Sequence, residues 1–239
     1  MSKYGGNYIP VVQGTGDWLQ VRLGKVTASR IADVVLKQKS GKYYAAREDY
    51  KVELLMESLT GQACEHFVSP AMDFGAINEP LARTTYEFAA SVEVESVGFF
   101  VHPTIERSGA SPDGLVGDDG MVEIKVPNTT THLGYLLADV VPEAYKPQMM
   151  WQMACTGRKW CDFVSYDPRL PEEFGIFIKR FERDNGLIAA MECEVLKFIG
   201  EINEMAERLY EHKAKHIPMP REESLVPQSS IPDAEEWLR

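Results

Sequence analysis

The stretch SPDGLVGDDGMVEIKVP, residues 111–127, predicts a β-hairpin. Its centre, residues 117–120 (Gly-Asp-Asp-Gly), favours a tight turn because glycine and aspartate accept the backbone angles that turns require. The apolar residues on either side of this turn form the two strands. A hairpin of this kind returns the chain on itself and would bring Asp113 close to Glu123.

The polar residues of this hairpin suggest a metal-dependent hydrolytic site. Residues i and i+2 of a strand point to the same side, so Glu123 and Lys125 share one face and Ile124 points to the other. Asp113 and Glu123, once close, would repel and raise each other's pKa unless a cation lay between them. Mg²⁺ suits such a pair because it prefers oxygen ligands and keeps several waters. With Lys125 placed to orient a water or neutralise a phosphate, these are the parts that phosphodiester hydrolysis needs.

A simpler alternative remains open from these residues alone. The stretch is also compatible with an ordinary amphipathic hairpin that carries a surface pair of Glu123 and Lys125. An aspartate followed some ten residues later by Glu-x-Lys is a short pattern that often arises by chance.

The rest of the chain predicts an α/β fold with a central mixed β-sheet flanked by helices. Helical periodicity and capping residues indicate helices over residues 18–23, 27–36, 43–59, 70–90 (interrupted or restarted at Pro80), 129–138, 142–154 and 185–211. Two-residue alternation indicates strands of a mostly antiparallel sheet over residues 92–101, 107–110, 115–116, 121–126, 159–166 and 175–181.

Composition places the chain among soluble globular proteins. It has 239 residues, of which 44% are hydrophobic and 26% charged. It contains neither a run of about eighteen apolar residues, as a membrane span needs, nor an apolar signal segment, so we expect a cytoplasmic location and no membrane partner. We expect one domain over residues 1–239, with a core of about 15–215 and an extended tail over 216–239. The four cysteines form no C-x-x-C pair, which favours reduced thiols.

The charge of the chain is unevenly distributed. The formal net charge is −11, which by itself argues weakly against a nucleic-acid partner. Residues 22–51, however, contain eight Lys or Arg against three Asp or Glu, a net charge of +5. Because salt confines an electrostatic field to about 10 Å, such a segment can bind a polyanion locally on an acidic protein. The alternative is a solvated helix face.

Five sequence blocks, taken in order, resemble one known family. They are DWLQVRLGKVTAS, DFGAINEPLAR, SGASPDGLVGDDGMVEIKVP, EAYKPQMMWQMACTG and FVSYDPR. Their order and spacing resemble those of phage lambda exonuclease and the YqaJ-type viral recombinases, over roughly residues 15–182. Asp113 and the Glu123-Ile124-Lys125 triplet match the PD-(D/E)XK nuclease signature, including its proline at Pro112. The resemblance implies a PD-(D/E)XK, restriction-endonuclease-like core.

The resemblance also implies catalytic and metal-binding roles for individual residues. Asp113 and Glu123 would bind Mg²⁺ through their carboxylates, and Ile124 would bind it through its backbone carbonyl. The predicted catalytic set is Asp113, Glu123, Lys125, Glu79 and Gln148, in which Lys125 positions the hydrolytic water and Glu79 reaches the metal from the preceding helix. Gln152 lies one helical turn after Gln148, and for it a structural role is as plausible as a functional one. Two Mg²⁺ ions are implied, and Mn²⁺ is expected to substitute.

A second group of residues matches the family's contacts with DNA. Arg22, Ser29 and Ser111 match a pocket for a terminal 5′-phosphate, and an arginine fork can bind such a phosphate through two hydrogen bonds. Met72 falls where the family has an aliphatic wedge between the two DNA strands, with a core residue as the alternative. Lys39 falls where the family has a basic contact to the duplex.

The function implied by the resemblance is Mg²⁺-dependent digestion of one strand of linear double-stranded DNA from its 5′ end. The product is a 3′ single-stranded overhang for recombination, passed to a single-strand annealing protein. The family works as a homotrimeric ring, and a phage or prophage origin is implied. A restriction-type or structure-selective endonuclease with the same core is the alternative enzyme, and a non-catalytic DNA-binding module is the third reading. The departures from the family pattern lie in the N-terminal extension, the pair Tyr43-Tyr44 and the tail, and they leave duplex contacts and partner choice open.

Overall fold

A computed structural model of the chain describes residues 4–64 and 69–216. Its strands are β1 (Tyr8–Ile9), β2 (Val26–Thr27), β3 (Val94–Glu95), β4 (Phe99–Val101), β5 (Ser108–Ala110), β6 (Gly114–Val116), β7 (Gly120–Lys125), β8 (Trp160–Tyr166) and β9 (Ile176–Glu182). Its α-helices are α1 (Gly16–Arg22), α2 (Ile31–Val35), α3 (Ala45–Thr60), α4 (Pro70–Ala90), α5 (Thr129–Ala138), α6 (Lys146–Thr156) and α7 (Asn185–His216). The predicted helices are present, with ends that differ by a few residues.

The strands form two mixed sheets instead of the one central sheet expected from the sequence. One has the order β1-β4-β5-β2 and the other the order β3-β6-β7-β8-β9. Most neighbouring strands are antiparallel, as predicted, but β2 pairs in parallel with β5 and β7 pairs in parallel with β8. The α/β class with mixed sheets flanked by helices is therefore confirmed.

The hairpin predicted at residues 111–127 is the centre of the five-stranded sheet. Strands β6 and β7 are antiparallel, and Val116 pairs with Gly120 next to the turn. Gly117 has a φ of 53°, a left-handed conformation that glycine adopts without steric cost. The local turn chemistry therefore folds this segment as the sequence predicts.

The strand predicted over residues 92–101 is wrong as one element. The chain forms β3 in the five-stranded sheet, crosses over, and forms β4 in the four-stranded sheet. At the crossing, a Cβ built on Gly98 would lie 2.3 Å from the backbone oxygen of Ile9, so only glycine lets the two segments approach this closely. Apolar residues continue from β3 into β4, where the consecutive Phe99 and Phe100 are both buried, so the sequence pattern does not record the change of sheet.

Helix α4 is continuous, so the break expected at Pro80 is wrong. Proline removes one helical hydrogen bond and usually bends or breaks a helix. Here the helix has a cap at each end: Ser69 accepts from the Met72 N–H, and Ser91 closes it in a left-handed conformation with a φ of 53°. The turns after the proline are held by burial of Ala82 and Tyr86 against the five-stranded sheet. Packing on the sheet therefore outweighs the local preference of proline.

Two helices enclose the hairpin. Helix α4 packs on strands β7, β8 and β9, and α6 lies against strands of both sheets. The core beneath α4 includes Val122, Ile124 and Val164. Ile124 thus points towards α4, which leaves the opposite side of β7 for Glu123 and Lys125.

Among the described residues, packing groups those up to Asn203 into one compact unit and residues 204–216 into a second. The prediction of one domain stays a prediction, and the predicted tail after His216 lies outside the described residues. All four cysteines are free thiols, as expected, with Cys155 and Cys161 buried. Within the described ranges, no helix combines the length and apolar character that a membrane crossing requires.

Candidate active site

The hairpin brings the predicted PD-(D/E)XK residues together. Asp113 lies just before β6, and its Oδ2 accepts a hydrogen bond of 2.6 Å from the backbone N–H of Ile124 in β7. On the opposite side of β7, the ammonium of Lys125 lies 2.5 Å from Oε1 of Glu123. The predicted neighbourhood of Asp113 and Glu123 and the shared face of Glu123 and Lys125 are both present in the fold.

Glu123 is fully buried and is held by two glutamines of α6. Nε2 of Gln148 donates to Oε1 of Glu123 over 2.6 Å, and Nε2 of Gln152 donates to Oε2 over 2.6 Å. A buried carboxylate is costly unless it accepts hydrogen bonds, and bonds to a charged acceptor are about twice as strong as neutral ones. The glutamines, four residues apart on one helix face, therefore fix both oxygens of the carboxylate. Gln152, whose role the sequence left open, contacts the site directly.

The site concentrates negative charge in a buried place. Burial, followed by the charge of Glu123, raises the pKa of the Asp113 carboxyl well above its usual value, against the opposing effect of Lys125. Burial alone would lower the pKa of the Lys125 ammonium, but the charges of Glu123 and Asp113 outweigh this and raise that pKa. Lys125 therefore stays cationic at neutral pH and compensates only part of the charge of two carboxylates.

Glu79 approaches the carboxylates of Asp113 and Glu123 from α4, as the sequence predicts. Its charge contributes to the raised pKa of Asp113, and its side chain is 43% exposed. The Glu79 carboxylate lies 3.8 Å from the guanidinium of Arg83, one turn later on the same helix. Arg83 also donates a hydrogen bond of 2.5 Å to the backbone oxygen of Asp113. Sequence reasoning missed Arg83, although its i,i+4 spacing from Glu79 was a visible signal.

The residues present fit a hard divalent cation. Among residues 4–64 and 69–216, no three His, Cys, Asp or Glu side chains converge as a ready-made metal cluster. Mg²⁺ does not need one, because it is commonly held by one or two carboxylates, several waters and the substrate phosphate. Asp113 and Glu123 supply two carboxylates, and the excess negative charge around Asp113 is what a cation would relieve.

A cavity of about 700 Å³ contains two of the three residues predicted to bind a 5′-phosphate. Arg22 and Ser29 both line it. The Arg22 guanidinium lies 4.0 Å from the centre of the Trp18 ring, and the ring N–H of Trp18 donates to Oγ of Ser111 over 2.8 Å. Trp18 thus joins Arg22 to Ser111, a link that the sequence analysis did not identify. A cation–π contact of this kind restricts the position of the guanidinium before any ligand binds.

The sequence profile of the YqaJ-like viral recombinase domain matches residues 17–159. This range includes the hairpin and the cavity that Arg22 and Ser29 line. The chain belongs to this family. The crystal structure of an alkaline exonuclease from Laribacter hongkongensis is 47% identical, with a TM-score of 0.78, and the match covers 84% of this chain and 99% of that one. The structure of that enzyme in complex with dAMP matches equally well. No curated protein matches the chain significantly.

A more distant structure extends the comparison of the fold. The phage-related exonuclease from Haemophilus somnus 129PT is 14% identical, with a TM-score of 0.64 over 77% of this chain and 96% of that one. At this identity the likeness concerns the fold alone. The predicted membership of the YqaJ-type recombinase family and the predicted fold class are confirmed by these matches.

Met72 and Lys39, the other two residues predicted to contact DNA, lie in different surroundings. Met72, in the first turn of α4, is 56% exposed and lines both the 700 Å³ cavity and a cleft of about 490 Å³ that contains Glu79 and Lys125. Met72 therefore lies between the cavity of Arg22 and Ser29 and the cleft of Glu79 and Lys125, and its exposure is not that of a core residue. Lys39 lies on an exposed turn, and its contact with duplex DNA stays a prediction.

The basic segment over residues 22–51 is partly neutralised within the fold. Arg30 pairs with Asp33 and Glu53, and Lys37 pairs with Glu194. Arg47 and Lys51 also make ion pairs with acidic residues. At least half of the basic residues in the segment thus make ion pairs within the protein. The net charge of the segment therefore overstates the positive charge that is available to bind a polyanion.

Proposed function

We propose that this chain is a Mg²⁺-dependent exonuclease that digests one strand of linear double-stranded DNA from 5′ to 3′. The remaining strand is a 3′ single-stranded overhang for annealing by a partner protein, in a phage or prophage recombination system. The observation that carries the proposal is the fully buried Glu123 carboxylate in direct contact with Lys125, with the half-buried Asp113 just before the neighbouring strand of the same hairpin. That arrangement combines the metal ligands and the cation that phosphodiester hydrolysis requires.

The assignment to the exonucleases rests on the family and on the 47% identity with an alkaline exonuclease. The match covers 99% of that enzyme's chain. The relative is also known in complex with dAMP, a deoxynucleoside monophosphate. A nucleotide of this type is what an exonuclease acting on DNA releases, which supports DNA as the substrate here.

The proposed roles follow from the contacts. Asp113 and Glu123, with the Ile124 carbonyl and Glu79, would hold Mg²⁺. When bound, the metal supplies an activated water and positive charge at the scissile phosphate. Gln148 and Gln152 keep the Glu123 carboxylate in one orientation, so it needs no rearrangement during the reaction.

Lys125 has a separate role in the proposal. Its ammonium lies against Glu123 and 5.3 Å from the centre of the Tyr145 ring, so its position is fixed on two sides. From there Lys125 orients the attacking water and offsets negative charge that develops on the phosphate. A preorganised cation is effective at this step because the buried surroundings screen it less than bulk water would.

Strand polarity must come from recognition of a DNA end, because the phosphodiester itself is nearly the same in both directions. A terminal phosphate carries more charge than an internal diester, so an arginine fork prefers it. Arg22, Ser29 and Ser111 are proposed to hold the 5′-phosphate while the next bond lies over the carboxylates. Met72, which lines both cavities, is proposed to separate the strands between these two points.

The test compares linear duplexes that carry either a 5′-phosphate or a 5′-hydroxyl, with Mg²⁺ or with EDTA. Wild type should digest the phosphorylated end faster, and EDTA should stop both reactions. Arg22→Ala should nearly abolish the preference and lower processivity. The matched control is Arg180→Ala, which removes an arginine that lies 3.5 Å over Trp160, pairs with Asp162 and does not line the proposed pocket.

Two results would overturn the proposal in different ways. An equal 5′-phosphate preference in wild type and Arg22→Ala would exclude the pocket. Nicking of covalently closed circular DNA would favour the restriction-type or structure-selective endonuclease instead, because a closed circle has no end to digest.

A homotrimeric ring is part of the proposal. A ring would place the basic segments of three subunits around one channel, which concentrates modest positive charge where DNA passes. This would reconcile DNA binding with the net charge of −11. A single-strand annealing protein is the proposed recipient of the overhang.

A further inference from the structure

The segment that carries Asp113 is held by side chains from outside the hairpin. Nε2 of Gln13, in the loop after β1, donates to the backbone oxygen of Pro112 over 2.9 Å. Arg83, from α4, donates to the next backbone oxygen, that of Asp113, over 2.5 Å. Two consecutive carbonyls just before β6 are thus bound by donors that are distant in sequence, which fixes the main chain at this point.

Arg83 makes two further contacts from the same guanidinium. Its Nη1 donates to Oγ of Ser96 over 2.7 Å, and its Nη2 lies 3.8 Å from Oε1 of Glu79. The Arg83 side chain is 21% exposed, whereas that of Glu79 is 43% exposed and Ser96 is exposed. Arg83, Glu79 and Asp113 also line one cavity of about 380 Å³. One planar group therefore connects helix α4, the crossing between β3 and β4, and the main chain of Asp113.

We propose that Arg83 is a positioning residue that sets the separation of Glu79 and Asp113. The inference rests on the metal-dependent function proposed above. Glu79 and Asp113 belong to different elements, α4 and the chain before β6, so nothing local fixes the distance between their carboxylates. Nη2 of Arg83 makes both links, the ion contact to Glu79 and the hydrogen bond to the backbone oxygen of Asp113. Because an arginine fork offers several donors in one plane, lysine cannot make all three contacts at once.

Removing a residue that orients metal ligands without binding the metal itself should lower the affinity for the metal. Loss of such a partner commonly costs 10–100-fold in metal affinity or activity. Arg83→Met keeps the length of the side chain and removes the guanidinium. The matched control is Arg158→Met, because Arg158 donates over 2.6 Å to the backbone oxygen of Gly117, at the turn of the same hairpin. Both variants lose an arginine–carbonyl bond on this hairpin, but only one loses it at the carboxylates.

The experiment measures Mn²⁺ binding to the full chain without DNA by titration calorimetry, together with melting temperature and with kcat and KM for DNA. Arg83→Met should bind Mn²⁺ about 10–100-fold more weakly, with a lower kcat, a nearly unchanged KM for DNA and partial recovery of activity at high Mn²⁺. Arg83→Lys should show a smaller loss of affinity. Arg158→Met should lower the melting temperature and leave Mn²⁺ affinity within about twofold of wild type, since its contact is remote from the ligands.

The outcomes separate this inference from the proposed function. Wild-type Mn²⁺ affinity in Arg83→Met, or an equal loss of affinity in Arg158→Met, would overturn the positioning role alone. If Arg83→Met does not fold, Arg83→Lys decides the question, and unchanged affinity in that variant overturns it. A wild-type protein that binds neither Mn²⁺ nor Mg²⁺ would instead remove the metal-dependent function, and the role of Arg83 with it.

Discussion

Replacing Asp113 with asparagine should stabilise the metal-free protein while abolishing cleavage. The asparagine Oδ1 can still accept the Ile124 N–H bond that Oδ2 of Asp113 accepts at 2.6 Å. What disappears is a half-buried negative charge that interacts with Glu123. Burial and that neighbour raise the pKa of Asp113 in the folded state, so ionising this carboxyl opposes folding.

The direction of the pH dependence follows from linkage. The pKa of Asp113 is higher in the folded than in the unfolded chain, so its contribution to stability is present at low pH. That contribution is lost as pH rises from the unfolded value of about 4 through the raised folded value. Without metal, the stability of the wild type should therefore fall over this interval. Asp113→Asn should lack this decrease.

The size of the effect scales with the elevation of the pKa. Each pKa unit corresponds to about 1.4 kcal/mol. For a chain of this length, 1 kcal/mol shifts the melting temperature by about 2–4 °C. Each unit of elevation should therefore make Asp113→Asn melt about 3–5 °C above wild type at alkaline pH in EDTA. The attraction of Lys125 for Asp113 is already included, because it opposes the same pKa shift.

Metal should reduce the difference in stability between the two proteins. At one hundred times its Kd, a ligand that binds only the folded state adds about 2.7 kcal/mol of stability. Wild type should gain that amount with Mg²⁺, whereas Asp113→Asn, which has lost one carboxylate, should gain much less. The assay is thermal unfolding followed by circular dichroism from pH 5 to pH 9, in EDTA and in Mg²⁺.

Asp167→Asn is the control with the opposite sign. Burial would raise the pKa of Asp167, but hydrogen bonds from Arg169 outweigh it and lower this pKa to about 2. The ionised Asp167 therefore stabilises the fold above pH 4, and this contribution is lost only as pH falls towards 2. Asp167→Asn should accordingly melt at a lower temperature than wild type at neutral pH, with or without Mg²⁺. If Asp113→Asn melts at or below wild type at every pH in EDTA, the two carboxylates do not repel each other as argued.

Three further predictions concern chemistry, assembly and folding. Lys125→Ala should slow single-turnover cleavage by roughly 10²–10³ with little change in DNA affinity; weaker binding at an unchanged rate would move Lys125 from catalysis to binding. Light scattering should report a homotrimer in solution, and a stable monomer that still digests DNA processively would exclude the ring. Gly98→Ala should cost about 1–3 kcal/mol by overpacking, whereas Gly134→Ala, with no atom within 4 Å of the added Cβ, should leave the melting temperature equal or higher. Equal melting temperatures for these two glycine variants would show that the crossing between the sheets can relax.

The sequence by itself determined what depends on neighbouring residues. The turn at residues 117–120 and the alternation after it placed Glu123 and Lys125 on one face of a strand, because side chains alternate with a period of two. Helix α3, predicted over residues 43–59, ends at Thr60, and Gly61 caps it in a left-handed conformation with a φ of 66°. Five ordered blocks were enough to indicate the family. Each of these conclusions needs only local geometry or a pattern along the chain.

The tertiary structure alone decided which distant residues complete the site. Gln152 reaches Glu123 across 29 residues, Arg83 reaches Asp113 across 30, and Trp18 reaches Ser111 across 93. The division of the strands into two sheets and the continuity of α4 through Pro80 were also decided there. Periodicity reports which face of an element is buried but not what buries it. The partner of a polar side chain is fixed only when packing brings separate elements together, because an unpaired polar group in the interior is costly.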